Sequence, residues 1–329
     1  MKICSTTPST AATLDDPAED SPGAGSRIEM MTSAPLGELL TAMVTPFAAD
    51  GTVNHDAARR LARHLVDNGS DGVVVCGTTG EGPTVNDREK LDLFETVVAE
   101  VGATAAVIAN TGTYDTHHSV ALTRSALASG VDGFLVVTPY YNKPPVEGIV
   151  RHYQEIAYAA EGRPVIVYNI PSRVIVNLEP PVLERLARIE NVVAVKQATP
   201  DPGQAAAIVR HGALRLYAGN DDLLGPFLRL GGVGGICVAS HIAGPIMREM
   251  VSAAAAGDHD RVDELDREIA PLLQALAVTT NPIPLKAALN LLGHDVGGLR
   301  LPLVDADEAQ TATIQATLEL AGLLPIATA

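Results

Sequence analysis

The chain contains no tryptophan, four phenylalanines, three cysteines and five lysines among 329 residues. Cys4, Cys76 and Cys237 are odd in number and far apart, so they supply neither a disulfide framework nor a C-x-x-C metal knuckle, and they fit a reducing cytoplasm. Positive charge is also sparse. The 23 basic residues face 39 acidic ones, for a net charge of −16 and a pI near 4.9. Nucleic acid and anionic membrane both require a basic footprint, so neither is an expected partner, and a small metabolite is. No apolar run approaches the roughly 18 residues of a membrane span, and the N-terminus lacks the apolar core of a signal peptide. No Gly-Lys-Ser/Thr phosphate loop and no dinucleotide fingerprint occurs. His117 and His118 are adjacent and face different sides of one helix, so they cannot chelate as a pair. No metal is expected.

With 47% hydrophobic residues there is ample material for a large core, either as two domains or as one α/β barrel. Residues 1–34 are rich in Ser, Thr, Pro, Ala and Asp without periodicity and read as a disordered tail, with Met30 or Met31 as an alternative start. Short apolar runs then recur at 39–47, 71–76, 105–110, 132–138, 164–168, 191–196, 214–218 and 234–239. Segments with 3.6-residue spacing separate them, as at 56–66, 87–99 and 116–128. Eight such units predict an α/β (β/α)8 TIM barrel over residues 35–257. The remainder, 258–329, is expected to form a C-terminal helical extension of two or three helices.

In a barrel of this kind chemistry sits where strands end and the following loops begin. Lys196 closes the run Asn191-Val-Val-Ala-Val-Lys196, where desolvation disfavours an ammonium and a neutral amine can attack carbonyls. The alternative at this stage is a lysine that has left the strand and snorkels to water. Tyr114, Tyr140, Tyr141, Tyr168 and Tyr217 also fall at or just after strand ends, which a purely core-filling role would not arrange. Tyr217 taken singly fits an ordinary buried tyrosine equally well.

Gly77-Thr78-Thr79-Gly80-Glu81-Gly82 follows the second run, with two hydroxyls in a tight turn that suits a carboxylate; a threonine-capped βα turn is the plain alternative. Tyr168-Asn169-Ile170-Pro171-Ser172-Arg173 places a phenol and a guanidinium on one loop, and Arg173 can meet a carboxylate as a planar fork or form a surface ion pair. Gly219-Asn220-Asp221-Asp222 reads as a turn and N-cap for the seventh helix. The glycine-rich stretch 231–235 reads as a tight lead-in to the eighth strand.

Taken together, "TAMVTPF" at 41–47, "GTTGEGPT" at 77–84, "VTPYYNKP" at 137–144, "YNIPSR" at 168–173, "VAVKQA" at 193–198 and "NPIPLK" at 281–286 resemble a known family. It is the pyruvate-dependent Schiff-base aldolases and lyases typified by dihydrodipicolinate synthase, now 4-hydroxy-tetrahydrodipicolinate synthase. The resemblance covers about residues 36–325. It implies a lyase of lysine and diaminopimelate biosynthesis that condenses pyruvate with L-aspartate 4-semialdehyde, without an organic cofactor, as a homotetramer built from two tight dimers. It further implies that Lys196 forms the imine, that Tyr168 shuttles protons, and that Thr78 links it to Tyr141, which serves the neighbouring subunit's site. Thr79 would hold the pyruvate carboxylate with backbone N–H groups, Arg173 the aldehyde's carboxylate, and Gly219 and Ile236 would line the substrate site.

Two positions depart from the family pattern. Gln197 stands where an acid is usual, and Asn110 replaces a common glycine. A relative acting on a sugar acid or an aromatic aldehyde is therefore the alternative on the same scaffold. A non-catalytic metabolite-binding paralogue is the alternative of another class, disfavoured by the joint presence of Lys196, Tyr168, Thr78 and Tyr141. Feedback-inhibited members bind lysine at the dimer interface, at positions that correspond here to Gly82, Pro83, Asp87, Lys90, Tyr114 and His118. With His118 at the expected carboxylate position and Lys90 adding a like charge, the resemblance implies insensitivity to lysine.

Overall fold

Eight short runs of branched and small residues become eight parallel strands closed into one barrel in sequence order. They are β1 (Leu39–Ala42), β2 (Gly72–Val75), β3 (Ala106–Asn110), β4 (Gly133–Val137), β5 (Val165–Asn169), β6 (Val192–Gln197), β7 (Arg215–Ala218) and β8 (Gly234–Cys237). The computed structural model of the chain describes residues 36–325, so the tail expected over 1–34 lies outside the described residues. A main helix follows each strand in turn, preceded after β5 by a short helical turn at Pro171–Val174 and after β7 by one at Asp221–Leu223: α1 (His55–Asp67), α2 (Asp87–Val101), α3 (Thr116–Leu127), α4 (Val146–Ala159), α5 (Pro180–Leu186), α6 (Pro202–His211), α7 (Leu224–Arg229) and α8 (Ser240–Ala255). Beyond them come α9 (His259–Leu276), α10 (Ile283–Leu291) and α11 (Glu308–Leu320). None of the described helices is long and apolar enough to cross a membrane.

Local sequence accounts for the helix starts. Asn54 accepts a hydrogen bond from the Ala57 N–H ahead of α1, whose buried face is Ala57, Ala58, Leu61, Ala62 and Leu65. Asn86 and Glu89 form a reciprocal capping box at α2. The strands sort their residues by parity. Val73, Val75, Val167 and Val195 pack outward against the helices in the larger apolar cluster. Leu40, Val74, Ile108, Leu135, Ile166, Ala194 and Ile236 point into the barrel and fill a separate, smaller cluster.

The first and last strands are shorter than the apolar runs suggest, and each has a reason. After β1 the chain reaches Pro46, which has no N–H to give a ladder, and Phe47 pairs instead with Val53 in an isolated antiparallel bridge. Beyond β8 the N–H groups of Val238 and Ala239 leave the sheet and bond to the Asp221 carboxylate at 2.8 and 3.1 Å.

Candidate active site

Strand parity puts Lys196 on the inward face of β6 between Ala194 and Ala198, whose small side chains leave space beside it. The residue is 4% exposed, which excludes the snorkelling alternative. Its Cα pairs in register with Tyr168 on β5 and Tyr217 on β7. The Lys196 Nζ lies 4.4 Å from the centre of the Tyr168 ring, and Tyr168 is itself buried. A lysine amine and a phenol thus share the apolar end of one barrel interior.

Behind them sits a carboxylate. Burial pushes the Asp221 carboxyl up, the Val238 and Ala239 N–H groups hold it back, and Lys196 is close enough to favour its charged form. The stretch 219–222, read as a turn and N-cap for the seventh helix, makes no side-chain cap there: Asn220 sits at the helix start without a capping bond, and the Asp221 carboxylate instead caps the chain leaving β8. Burial, and then Asp221, raise the Cys237 thiol well above its ordinary range, so it is no competing nucleophile.

The turn after β2 is bent by two non-glycine residues in the left-handed region, Cys76 at φ 58° and Glu81 at φ 52°. Such residues cost roughly 1–3 kcal/mol each and persist where the surroundings fix them. Gly82 lies so close to the Cys76 carbonyl oxygen that a Cβ would collide with it, and its N–H bonds to the Gly77 carbonyl at 3.0 Å. Thr79 is buried, and its Oγ1 accepts a hydrogen bond from Asn281 Nδ2 at 2.9 Å. Thr78 is half-buried.

The tyrosines divide. Tyr140 and Tyr114 meet edge to face, with ring centres 5.3 Å apart and planes at 82°. Tyr141, at φ 67°, is 89% exposed and makes no side-chain hydrogen bond to the described residues. Within one chain the structure therefore does not bring Tyr141 to Lys196 and Tyr168. Tyr217 leaves the set altogether: it turns beneath the barrel, and its hydroxyl donates to the Gly37 carbonyl just ahead of β1 at 2.7 Å.

Arg173 lies in the helical turn Pro171–Val174, exposed, with Nη2 donating to the Asn281 carbonyl at 3.4 Å. Gly219 follows β7 and donates to the Gln197 carbonyl at 2.8 Å; a Cβ there would come within 2.9 Å of Ala198 Cβ, so only glycine lets β7 approach β6 so closely. Ile236 is fully buried inside the barrel. Gln197 faces away from Lys196 and accepts from Asn169 Nδ2 at 3.1 Å, while Asn110 Nδ2 donates to the Cys76 carbonyl at 3.1 Å. Both departures from the family pattern thus act on strand ends and loop support.

Sequence reasoning missed three residues around this site. Asn281 was legible only as the first letter of "NPIPLK". Asp221 was read only as one letter of a turn and N-cap stretch. His241, buried, accepts from the Val44 N–H at 3.2 Å and donates to the Val238 carbonyl at 2.8 Å, tying the exits of β1 and β8; no local motif announced it.

Comparison with known proteins agrees with this geometry. The Dihydrodipicolinate synthetase family matches residues 35–321. The 4-hydroxy-tetrahydrodipicolinate synthase of Moorella thermoacetica is 50% identical over 290 residues, covering 88% of this chain and 99% of that protein. The enzyme of the same name from Symbiobacterium thermophilum is 49% identical over 292 residues, covering 88% and 99%. Among solved structures, that of DHDPS from Cyanidioschyzon merolae with lysine bound superposes with a TM-score of 0.86 at 39% identity, covering 89% of this chain and 100% of that one. The chain belongs to the dihydrodipicolinate synthetase family.

Proposed function

We propose that this protein condenses pyruvate with L-aspartate 4-semialdehyde to form 4-hydroxy-tetrahydrodipicolinate, as a lyase working through an imine on Lys196. The observation that carries the reading is the placement of Lys196 inside the barrel, 4.4 Å from the Tyr168 ring, in a chain with so few lysines. The unprotonated Nζ attacks the pyruvate ketone and water leaves, giving an iminium. That cation is the electron sink, so the methyl group can lose a proton to give an enamine without an organic cofactor. The enamine carbon then attacks the aldehyde. The amine of the second substrate displaces Lys196 as the ring closes.

Proton transfers in these steps are assigned to Tyr168, relayed through Thr78 to Tyr141. A phenol with an ordinary value near 10 can serve near neutral pH only within such a hydrogen-bonded chain. The exposure of Tyr141 and its left-handed backbone support a role in the site of a neighbouring subunit, within a homotetramer made of two dimers. Thr79 receives the pyruvate carboxylate and Arg173 that of the aldehyde, with Gly219 and Ile236 along the wall. The free, buried Cys76 and Cys237 support a cytoplasmic setting.

The test couples pyruvate and aspartate semialdehyde turnover to a reductase and follows NADPH oxidation. In parallel, borohydride with pyruvate should fix a secondary amine on Lys196 and leave Lys196→Ala unlabelled. An adduct on another lysine, or none, would sink the mechanism; turnover only with glyoxylate, glyceraldehyde or N-acetylmannosamine as the aldehyde or cleavage substrate would sink the substrate assignment.

A further inference from the structure

Thr79 and Arg173, assigned to two different substrates, both touch one residue of the C-terminal region. The Asn281 carboxamide donates to Thr79 Oγ1 at 2.9 Å, and the Asn281 backbone carbonyl accepts from Arg173 Nη2 at 3.4 Å. We propose that Asn281 is a positioning residue that turns the Thr79 hydroxyl into a committed hydrogen-bond donor for the pyruvate carboxylate. The proposal rests on the reading that Thr79 receives that carboxylate.

A threonine hydroxyl has one hydrogen and two lone pairs, and it rotates to suit its surroundings. With Asn281 Nδ2–H filling a lone pair, the hydrogen must point elsewhere, and it reaches no acceptor among the described residues. Thr79 is buried, so an unmet O–H there is costly until an acceptor arrives. An ionised carboxylate only accepts hydrogen bonds, so it fits the hydrogen and not the reversed dipole. Were the amide turned round, its oxygen would take the Thr79 hydrogen and the site would lose this donor.

The placement of Asn281 is enforced from both sides. Lys286, five residues on, holds Glu81 across a 2.7 Å ion pair, and Glu81 lies two residues beyond Thr79. The backbone N–H of Arg300 adds a 2.9 Å bond to Glu81 Oε2. Asn281 and Thr79 therefore sit on two segments clamped together one turn away.

The experiment is a double-mutant cycle on the full chain, pairing Asn281→Ala with Thr79→Val, read as the pyruvate half-saturation of borohydride-trapped adduct and as KM against kcat in the coupled assay. Thr79→Val and Asn281→Ala should each raise pyruvate half-saturation about tenfold, the weight of one hydrogen bond to a charged group. The double variant should be no worse than Thr79→Val alone. Asn281→Asp keeps the shape but cannot donate when ionised, so at neutral pH its half-saturation should rise at least as far as that of Asn281→Ala. Adduct formation at saturating pyruvate shows that each variant is folded. Unchanged half-saturation in the Asn281 variants beside a damaged Thr79→Val would overturn the proposal, as would additive effects or an Asn281→Asp variant that behaves as wild type. A Thr79→Val variant with normal half-saturation would instead overturn the assignment of Thr79, and the proposal with it.

Discussion

Lys286 Nζ lies 2.7 Å from Glu81 Oε1, with both side chains 1% exposed, and this pair joins the turn after β2 to the C-terminal helix α10. Lys286 also donates to the Gly298 carbonyl at 2.7 Å and lies 4.1 Å from the centre of the Phe47 ring. Burial lowers its amine from the ordinary value, and the Glu81 charge is the main opposing influence. A buried pair of this kind contributes little net stability over an apolar replacement of the same shape, yet breaking it strands a charge.

Lys286→Met should therefore destabilise the fold by about 3–5 kcal/mol, since it leaves Glu81 buried without its partner. Adding Glu81→Gln should recover part of that loss. Thermal and urea unfolding of the single and double variants would check it, and a Lys286→Met protein that unfolds like wild type would remove the clamp from the account of the site.

The relay makes a separate prediction. Tyr168→Phe and Tyr141→Phe each delete one hydroxyl and should lower kcat by about 10² or more while leaving the fold intact. Tyr141 is exposed within its own chain, so its loss should show in the neighbour's site. Mixing the two inactive variants should then regenerate one native site per mixed dimer. No recovery, with subunit exchange demonstrated by mass or by tag, would refute the shared relay.

How far the sequence carried these conclusions depends on the range of the contact. Each strand was visible because branched residues cluster over four to six positions, and Lys196 was visible at the end of one such run, but its inward placement over the snorkelling alternative came only with the closed barrel. Tyr217 shows the limit: its position at a strand end is shared with Tyr168, but a long side chain can turn to either end of the barrel, and this one found the Gly37 carbonyl. Asp221 was read only as part of a local turn and cap because its donors, Val238 and Ala239, lie just beyond the next strand. Asn281, Lys286 and Arg300 meet the turn after β2 across more than 200 residues, and no local pattern encodes that meeting.

Two buried histidines give the protein an acid limb. His241 is held at about 4 by burial first, with the His64 and His294 charges acting in the same direction and the bond to the Val238 carbonyl opposing. His152 is likewise held at about 4 by burial, against a smaller upward pull from Asp115. In the unfolded chain both titrate near 6.5, so between those values the unfolded state binds more protons. Their stabilisation is thus complete above about pH 6.5 and is lost as the pH falls towards 4, on the order of 3 kcal/mol each. Unfolding midpoints measured from pH 7.5 down to 4.5 should fall steeply, and His241→Asn with His152→Gln should flatten the curve. An equally steep fall in the double variant would place the acid sensitivity elsewhere.

Lysine should not inhibit this protein at millimolar concentration. Of the six positions that correspond to the lysine site of feedback-inhibited relatives, Asp87 alone is a carboxylate. Its Oδ2 meets His118 Nε2 at 2.7 Å, and its Oδ1 faces Lys90 Nζ at 3.7 Å. Asp87 thus compensates the like charge that Lys90 adds, and that compensation occupies the one group that an incoming ammonium would need. Tyr114 packs edge to face against Tyr140, so its ring takes up space at another of the six positions. A ligand ammonium would have to break the Asp87 contacts and then sit beside Lys90, and like charges brought together at an interface are strongly disfavoured. A lysine titration of the coupled assay should be flat. Strong partial inhibition that disappears in Tyr114 or His118 variants would show that these side chains rearrange to admit the ligand, and would sink the argument from the Asp87 contacts.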